Sequence, residues 1–304
     1  MSTSPSILLF ANPISGAGEA GRIAERLTAR LSRTGYRVDV HTEPASGIDV
    51  SLIKRSPAAA AIVVGGDGTL LTVASRLLQA FDQTALPPLL TVPLGTANLM
   101  ARHLDCLWDR NELEAQVLAA LQTRTIRHID VPHANGQPFL LVAGVGFDAS
   151  VVHGLAARRR GPINYAHYLA PTWASLTTYN FTPLTIDADG ERLLTDTPAI
   201  AFVGNAPEYG GGLPVTPRAI SNDGLLDLCV LACRNWRELF ELGCICGSGL
   251  QVDHERAIYR RIRQVSVHSP KPVPVELDGD PAGFTPLEAA ITGRQLQFIV
   301  RPAR

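Results

Sequence analysis

Three short segments combine glycine, hydroxyl and carboxylate residues in the way a phosphate site needs. Gly65-Gly66-Asp67-Gly68-Thr69 follows an apolar run and precedes a helical one. Its glycines let the main chain approach a ligand closely, and a helix starting there offers unpaired N–H groups to an anion. Asp67 adds a carboxylate where a phosphate's metal ion, or a hydroxyl to be deprotonated, would sit. Asn12-Pro13-Ile14-Ser15-Gly16-Ala17-Gly18 and Pro93-Leu94-Gly95-Thr96-Ala97-Asn98 are two more small-residue loops, the second again leading into a helix. One glycine loop alone reads equally well as a tight turn with Asp67 capping the helix. Three that converge on one sheet edge read as a polyphosphate site.

Several phosphate chemistries are excluded by what is absent. The chain has two lysines, Lys54 and Lys271, and neither follows a glycine loop. The G-x-x-x-x-G-K-[ST] loop of P-loop NTPases is missing, as is the protein-kinase set of glycine-rich loop, strand lysine and catalytic loop. The G-x-G-x-x-G spacing at Gly16–Gly21 does not follow the first strand in its dinucleotide form, because Asn12–Ser15 intervene, which weighs against a dehydrogenase.

The elements that must position these loops alternate. Ser6–Ala11, Tyr36–Thr42, Ala60–Val64 and Leu89–Val92 read as strands, and an amphipathic helix runs to about Thr34 with Gly35 as its stop. Such alternation predicts an α/β domain with a mainly parallel sheet, whose ligands bind at the carboxyl ends of the strands. After about Arg127 the pattern changes. Asn135-Gly136 and Asp189-Gly190 are hairpin signals. Strands are expected at Phe139–Ala143, Ala199–Val203, Leu226–Leu231 and Val273–Leu277, with helices near Ala149–Tyr179 and Asn235–Leu250. This predicts a nucleotide domain over residues 1–128 and a β-sandwich-like domain over 129–304, with a last strand near 296–301 that belongs to either.

At 304 residues, 46% of them apolar and 18% charged, the chain has the makings of two folded domains rather than a disordered one. A net charge of −1 gives no global attraction to nucleic acid. No apolar run reaches the roughly 20 residues of a membrane span, and no basic flank precedes a hydrophobic stretch at the N-terminus. Five cysteines, an odd number, suit reduced thiols in a cytoplasm. Arg158-Arg159-Arg160 with Tyr165, Tyr168 and Trp173 mixes cations and aromatics as interfacial segments do, and Arg256–Arg263 adds a second basic cluster. Each reads equally as a solvated helix or strand face. The same choice applies to Arg22 and Arg102, each just inside a helix after a phosphate-type loop.

Taken in order, the motifs resemble the diacylglycerol kinase and sphingosine kinase superfamily of lipid kinases. The resemblance rests on Asn12–Gly16, Gly65–Thr69, Gly95–Asn98, Gly144-Val145-Gly146-Phe147-Asp148-Ala149, Pro217–Asp227 and Asp278-Gly279-Asp280. It implies a Rossmann-like, phosphofructokinase-like first domain, ATP as phosphoryl donor, Mg2+, and a lipid acceptor at the inner membrane face. It also implies that Asn12, Pro13, Ile14, Ser15, Gly16, Thr42, Gly65, Gly66, Asp67, Gly68, Thr69, Leu70, Leu71 and Thr96 hold the nucleotide. A structural magnesium would take the Asp223 carboxylate and the carbonyls of Ile220 and Leu225. The family's proton acceptor ends an Asp-Gly-Glu turn, which places Asp280 in that role, one methylene shorter. Asp278 and Asp67 are the other candidate carboxylates.

The sequence departs from the family at Leu71-Thr72, where Asn-Glu is usual, and at Leu99, where an acid is usual. The expected function is ATP- and Mg-dependent phosphorylation of a lipid hydroxyl. An NAD kinase-like enzyme and a catalytically silent lipid-binding relative are the alternatives. A homodimer is left open, and no nucleic-acid partner is expected.

Overall fold

Apolar runs of five or six residues, each followed by a helical run, produce a parallel sheet in the first part of the chain. In the computed structural model, which describes residues 4–44, 47–49, 53, 58–158 and 179–302, β1 (Ser6–Ala11), β2 (Arg37–His41), β3 (Ala60–Gly65) and β4 (Leu89–Pro93) lie in the order β4-β3-β1-β2, all parallel. β1 and β3 are buried along their whole length, as inner strands covered on both faces are. The connecting helices are α1 (Glu19–Arg33), α2 (Asp67–Ala80), α3 (Leu99–His103) and α4 (Leu113–Thr123). α1 buries Ala20, Ala24, Leu27 and Leu31, a three-to-four spacing that lays one stripe on the sheet. It stops where Gly35 takes a φ of 90°, a left-handed conformation that suits glycine.

The rest of the chain is antiparallel. Its strands are β5 (Ile126–Ala134), β6 (Gln137–Pro138), β7 (Val142–Val145), β8 (Pro183–Ala188), β9 (Glu191–Gly204), β10 (Leu226–Ala232), β11 (Ala257–Ile262), β12 (Gln264–His268), β13 (Pro274–Leu277), β14 (Asp280–Phe284) and β15 (Leu287–Ile299). Among the described residues they are joined by the helices α5 (Phe147–Arg158) and α6 (Trp236–Gly247). The 14-residue β9 belongs to two sheets. Its first half pairs with β8, which continues to β12 and the start of β15. Its second half lies between β7 and β10, with β13 and β14 beyond β7 and β11 beyond β10. Leu184, Ile186, Val265 and Leu287 from the first sheet and Val145, Val203, Leu228 and Val275 from the second share one core. This is the expected sandwich. Asn135-Gly136, Asp189-Gly190 and Asp278-Gly279 carry positive φ at both turn residues, the type I′ requirement of tight hairpins.

Two compact units result, Met1–Ile129 with Gln295–Arg304, and Asp130–Arg294. The final run returns to the first unit, where Phe298 pairs in parallel with Leu89.

The differences from the expected elements have local causes. The strand expected at Phe139–Ala143 forms at Val142–Val145 instead. The N–H groups of Leu140, Leu141 and Val142 all donate to the Asp278 carboxylate. The helix expected over 149–179 begins at Phe147 and is described to Arg158. Residues 159–178, with Tyr165, Tyr168 and Trp173, lie outside the described residues. Arg256 pairs with Glu241 at 2.9 Å and Arg261 with Asp223, so two charges of the second basic cluster are internally compensated. All five cysteines are free thiols. Among the described residues no helix is long and apolar enough to cross a membrane.

Asn205, 1% exposed, ties the second unit together through its side chain. Nδ2 donates to the Asp130 carbonyl at 3.0 Å and to the Leu140 carbonyl at 2.8 Å. Asn205→Ala leaves two buried carbonyls without that donor. Chemical denaturation is expected to show a loss of about 2–3 kcal/mol with an unchanged m-value.

Candidate active site

At the carboxyl edge of the parallel sheet the three loops lock to one another through main chain and small polar groups. After β1, Asn12 donates from Nδ2 to Thr69 Oγ1 at 3.1 Å, while its Oδ1 accepts from the Ile14 N–H at 3.3 Å. Ser15–Gly18 then makes a turn of 3-10 helix into α1. After β3, Gly66 caps α2 in an extended conformation. A Cβ on Gly95 would lie 2.7 Å from Gly66 Cα, so only glycine allows this approach of the second and third loops. The Leu94 N–H donates to the Gly65 carbonyl at 2.9 Å and closes the same junction.

Asp67 is the hub of this edge. Its Oδ2 accepts from the Leu99 N–H at 2.9 Å and its Oδ1 from the Met100 N–H at 3.1 Å, so it caps α3 from another loop. Burial pushes its carboxyl above the usual carboxylate range, and those N–H groups oppose the shift. Asn98, in the left-handed region at φ 50°, closes the third loop by exchanging bonds of 2.7 and 2.8 Å with Gly95. Thr69 and Leu70 are buried, whereas Gly68, Thr96, and Thr42 just beyond β2, are exposed along this edge. Pro13 and Ile14 are also exposed, and Leu71 is half-buried on α2. On the α1 side, Arg22, Arg26, Arg110 and Trp108 line a cavity of about 480 Å³. Arg22 and Arg110 share Glu19 there, at 3.5 and 3.2 Å.

In the second unit the β13–β14 turn carries the remaining acids. Asp278 Oδ2 accepts from the Leu140 N–H at 2.6 Å, and Oδ1 from the Leu141 and Val142 N–H groups at 2.8 and 3.0 Å. Three main-chain donors make this carboxylate a staple between the β13–β14 turn and the start of β7. Asp280, two residues on, opens β14 and is exposed.

The magnesium donors implied by the sequence sit in the loop before β10. Asp223 Oδ1 accepts from the Leu225 N–H at 3.0 Å, and Oδ2 is paired with Arg261. Gly224 N–H donates to the Asp130 carboxylate at 2.8 Å, which fixes the turn. A carboxylate with two main-chain carbonyls is an all-oxygen set that suits Mg2+, and Asp223 keeps unused lone pairs. The residues therefore fit the ion, provided Arg261 turns away from Asp223. Among the described residues no three acidic, histidine or cysteine side chains gather around such a point, so main-chain oxygen and water would complete the shell.

Sequence reasoning overlooked the ordering roles of Asn98 and Asp130. It quoted Asp148 only as part of a motif and passed over Glu276. A glutamate inside the apolar run Val273–Leu277 is a signal that was available, because a buried acid needs a reason.

Comparisons with known proteins agree with this arrangement. Residues 6–134 match the family described as the diacylglycerol kinase catalytic domain, and residues 141–300 that described as the YegS C-terminal NAD kinase beta sandwich-like domain. A Mycobacterium tuberculosis protein named diacylglycerol kinase is 30% identical over 97% of this chain and 95% of its own. One of that name from Bacillus subtilis is 24% identical over 95% of this chain and 94% of its own. Three crystal structures from Bacillus anthracis str. Sterne share the fold, with TM-scores of 0.76, 0.72 and 0.70 at 22%, 22% and 20% identity. Each covers 99% of this chain, which in turn covers 97% to 99% of them. The chain belongs to the diacylglycerol kinase family of lipid kinases.

Proposed function

We propose that the protein transfers the γ-phosphoryl group of ATP, with Mg2+, to a primary hydroxyl of a lipid of the diacylglycerol class. The observation that carries this is the carboxyl edge of the parallel sheet, where three glycine-containing loops are clamped together by Asn12, Asp67 and the Gly66–Gly95 contact. Backbone N–H groups there can bind phosphate oxygens without a lysine. The relatives' names favour diacylglycerol over a sphingoid base as acceptor. With a lipid substrate, the enzyme works peripherally at the cytoplasmic face of the membrane.

In the transfer, the bond from the γ-phosphorus to its bridging oxygen breaks as the acceptor oxygen bonds to phosphorus. The acceptor proton goes to a carboxylate. Most of the catalysis is positioning and charge stabilisation. We assign the proton to Asp280, the exposed acid that ends the Asp278-Gly279-Asp280 turn, where the resembling family carries its proton acceptor. Asp223, Ile220 and Leu225 would hold a structural Mg2+, whose charge would neutralise the acidic turn around Asp130 and Asp223.

The deciding assay is transfer of label from radiolabelled ATP into a panel of lipids in mixed micelles, with NAD as a separate acceptor. Label in NAD alone, or in no acceptor, would overturn the reading. Asp280→Asn is expected to lower kcat by about 10²-fold or more with little change in KM for ATP, while Asp280→Glu keeps most of the activity. In Asp67→Asn an amide N–H faces the N–H of Leu99 or Met100. Turnover is expected to vanish while circular dichroism stays native, with stability lower by about 1–3 kcal/mol. Magnesium should raise the melting temperature of the wild type, and Asp223→Ala should remove that rise without weakening ATP binding.

A further inference from the structure

A second pair of acids lies below the β13–β14 turn, and the transfer described above does not use it. Asp148 stands in the first turn of α5 and Glu276 on β13, with Glu276 fully buried. Asp148 Oδ1 and Oδ2 and Glu276 Oε1 are buried without a hydrogen-bond partner. The two carboxyls meet beside Gly144. A Cβ there would lie 2.2 Å from Asp148 Oδ2 and 2.6 Å from Glu276 Oε1, so both oxygens crowd one point. Glu276 Oε2 accepts from the Gly279 N–H at 2.7 Å, the residue before Asp280.

Among the described residues no lysine or arginine acts on this pair. From α5, His153 bonds the Val275 carbonyl through Nε2 at 2.8 Å. Asp278 adds a further negative charge near Glu276, and the Tyr209 hydroxyl, directed at both carboxyls, opposes their upward shift as a weak donor. Tyr179 lies near Asp148, its own phenol pushed up by burial. Two carboxylates in such a place cannot both ionise. Burial pushes Asp148 up to about 7. Burial, and then the Asp148 charge, push Glu276 well above the usual carboxylate range.

We propose that Asp148 and Glu276 hold one proton between them, Glu276 Oε1–H donating to Asp148, and that this bond fixes the turn that presents Asp280. The pair is a positioning device, and its catalytic meaning rests on Asp280 as proton acceptor. One oxygen of Glu276 satisfies Asp148 and the other anchors Gly279. Loss of the shared proton sets two buried charges against each other and pulls on that anchor.

The pH dependence has a definite sign. The folded pair keeps its proton up to about pH 7 or beyond, whereas unfolded carboxyls release theirs near pH 4. Between those values the folded state binds more protons, so this site's contribution to stability falls as pH rises.

The test is an infrared titration of the whole protein, combined with pH–rate profiles. The wild type should show a protonated-carboxyl band at neutral pH that titrates at or above pH 7, and its frequency and titration should change in Glu276→Gln and in Asp148→Asn, each of which leaves one buried acid without its partner. Glu276→Gln keeps a donor toward Asp148 and an acceptor for Gly279, so it should hold kcat within about 3-fold at pH 7 and flatten the alkaline fall in rate. Glu276→Leu should lose about 10²-fold while remaining folded. A wild type without the band, or a band unchanged in frequency and titration in both variants, overturns the shared proton. A band that behaves as expected with an unchanged alkaline limb in Glu276→Gln overturns the positioning role. An active Asp280→Asn with the band intact overturns the acceptor assignment alone.

Discussion

The Asp67 carboxylate holds two main-chain N–H groups of another loop, and the nucleotide half of the protein depends on that bond. A parallel sheet ends its strands at one edge, but nothing in strand pairing makes the loops there adopt a common shape. Asp67 supplies that order by capping α3 from the start of α2. Asn12 and the Gly66–Gly95 contact complete the lock with little side-chain bulk. What remains is a surface of backbone and hydroxyls, which is the chemistry a polyphosphate needs and one that a chain with two lysines can still provide.

The same device recurs in the sandwich. Asp278 holds three consecutive N–H groups at the start of β7, and the Asp130 carboxylate holds Gly224 at the loop before β10. In each case an acid is used as a clamp on main chain, Asp278 from a glycine-containing turn and Asp130 from β5. Motif acids are commonly read as catalysts because carboxylates do proton chemistry. Here Asp67 and Asp278 each use both carboxylate oxygens on main-chain N–H groups, which is a positioning role.

Much of this was legible in the sequence, and the remainder was not for identifiable reasons. The strands of the parallel sheet, the three phosphate-type loops and the I′ hairpins are encoded by short-range patterns of apolar runs and turn residues, and they formed where expected. The strand near Phe139 was displaced because a carboxylate almost 140 residues away takes the N–H groups that a ladder would otherwise use. No local pattern reports that. Strand β11 escaped notice because charge interrupts its apolar run, Arg260 and Arg261 standing among apolar residues, and β12 is a short polar-apolar alternation over Gln264–His268 with few apolar residues. Asp67 was found as a residue but not as a clamp, since its partners are main-chain groups that any sequence possesses.

In the transfer proposed above, an aspartate at position 280, where the resemblance implies a glutamate, takes its meaning from these constraints. Phosphoryl transfer through a loose transition state demands little of a base, because the acceptor proton leaves late and most of the barrier is lowered by alignment. A shorter side chain therefore costs reach rather than basicity, and reach is set by the backbone beneath it. That backbone is the Asp278-Gly279 turn, held from one side by Leu140, Leu141 and Val142 and from below by Glu276. A turn fixed at both points can place a short carboxylate as reproducibly as a mobile turn places a long one. The buried acid pair is then the counterpart of the shortened acid, for a catalytic group with less freedom to search needs a support with less freedom to move.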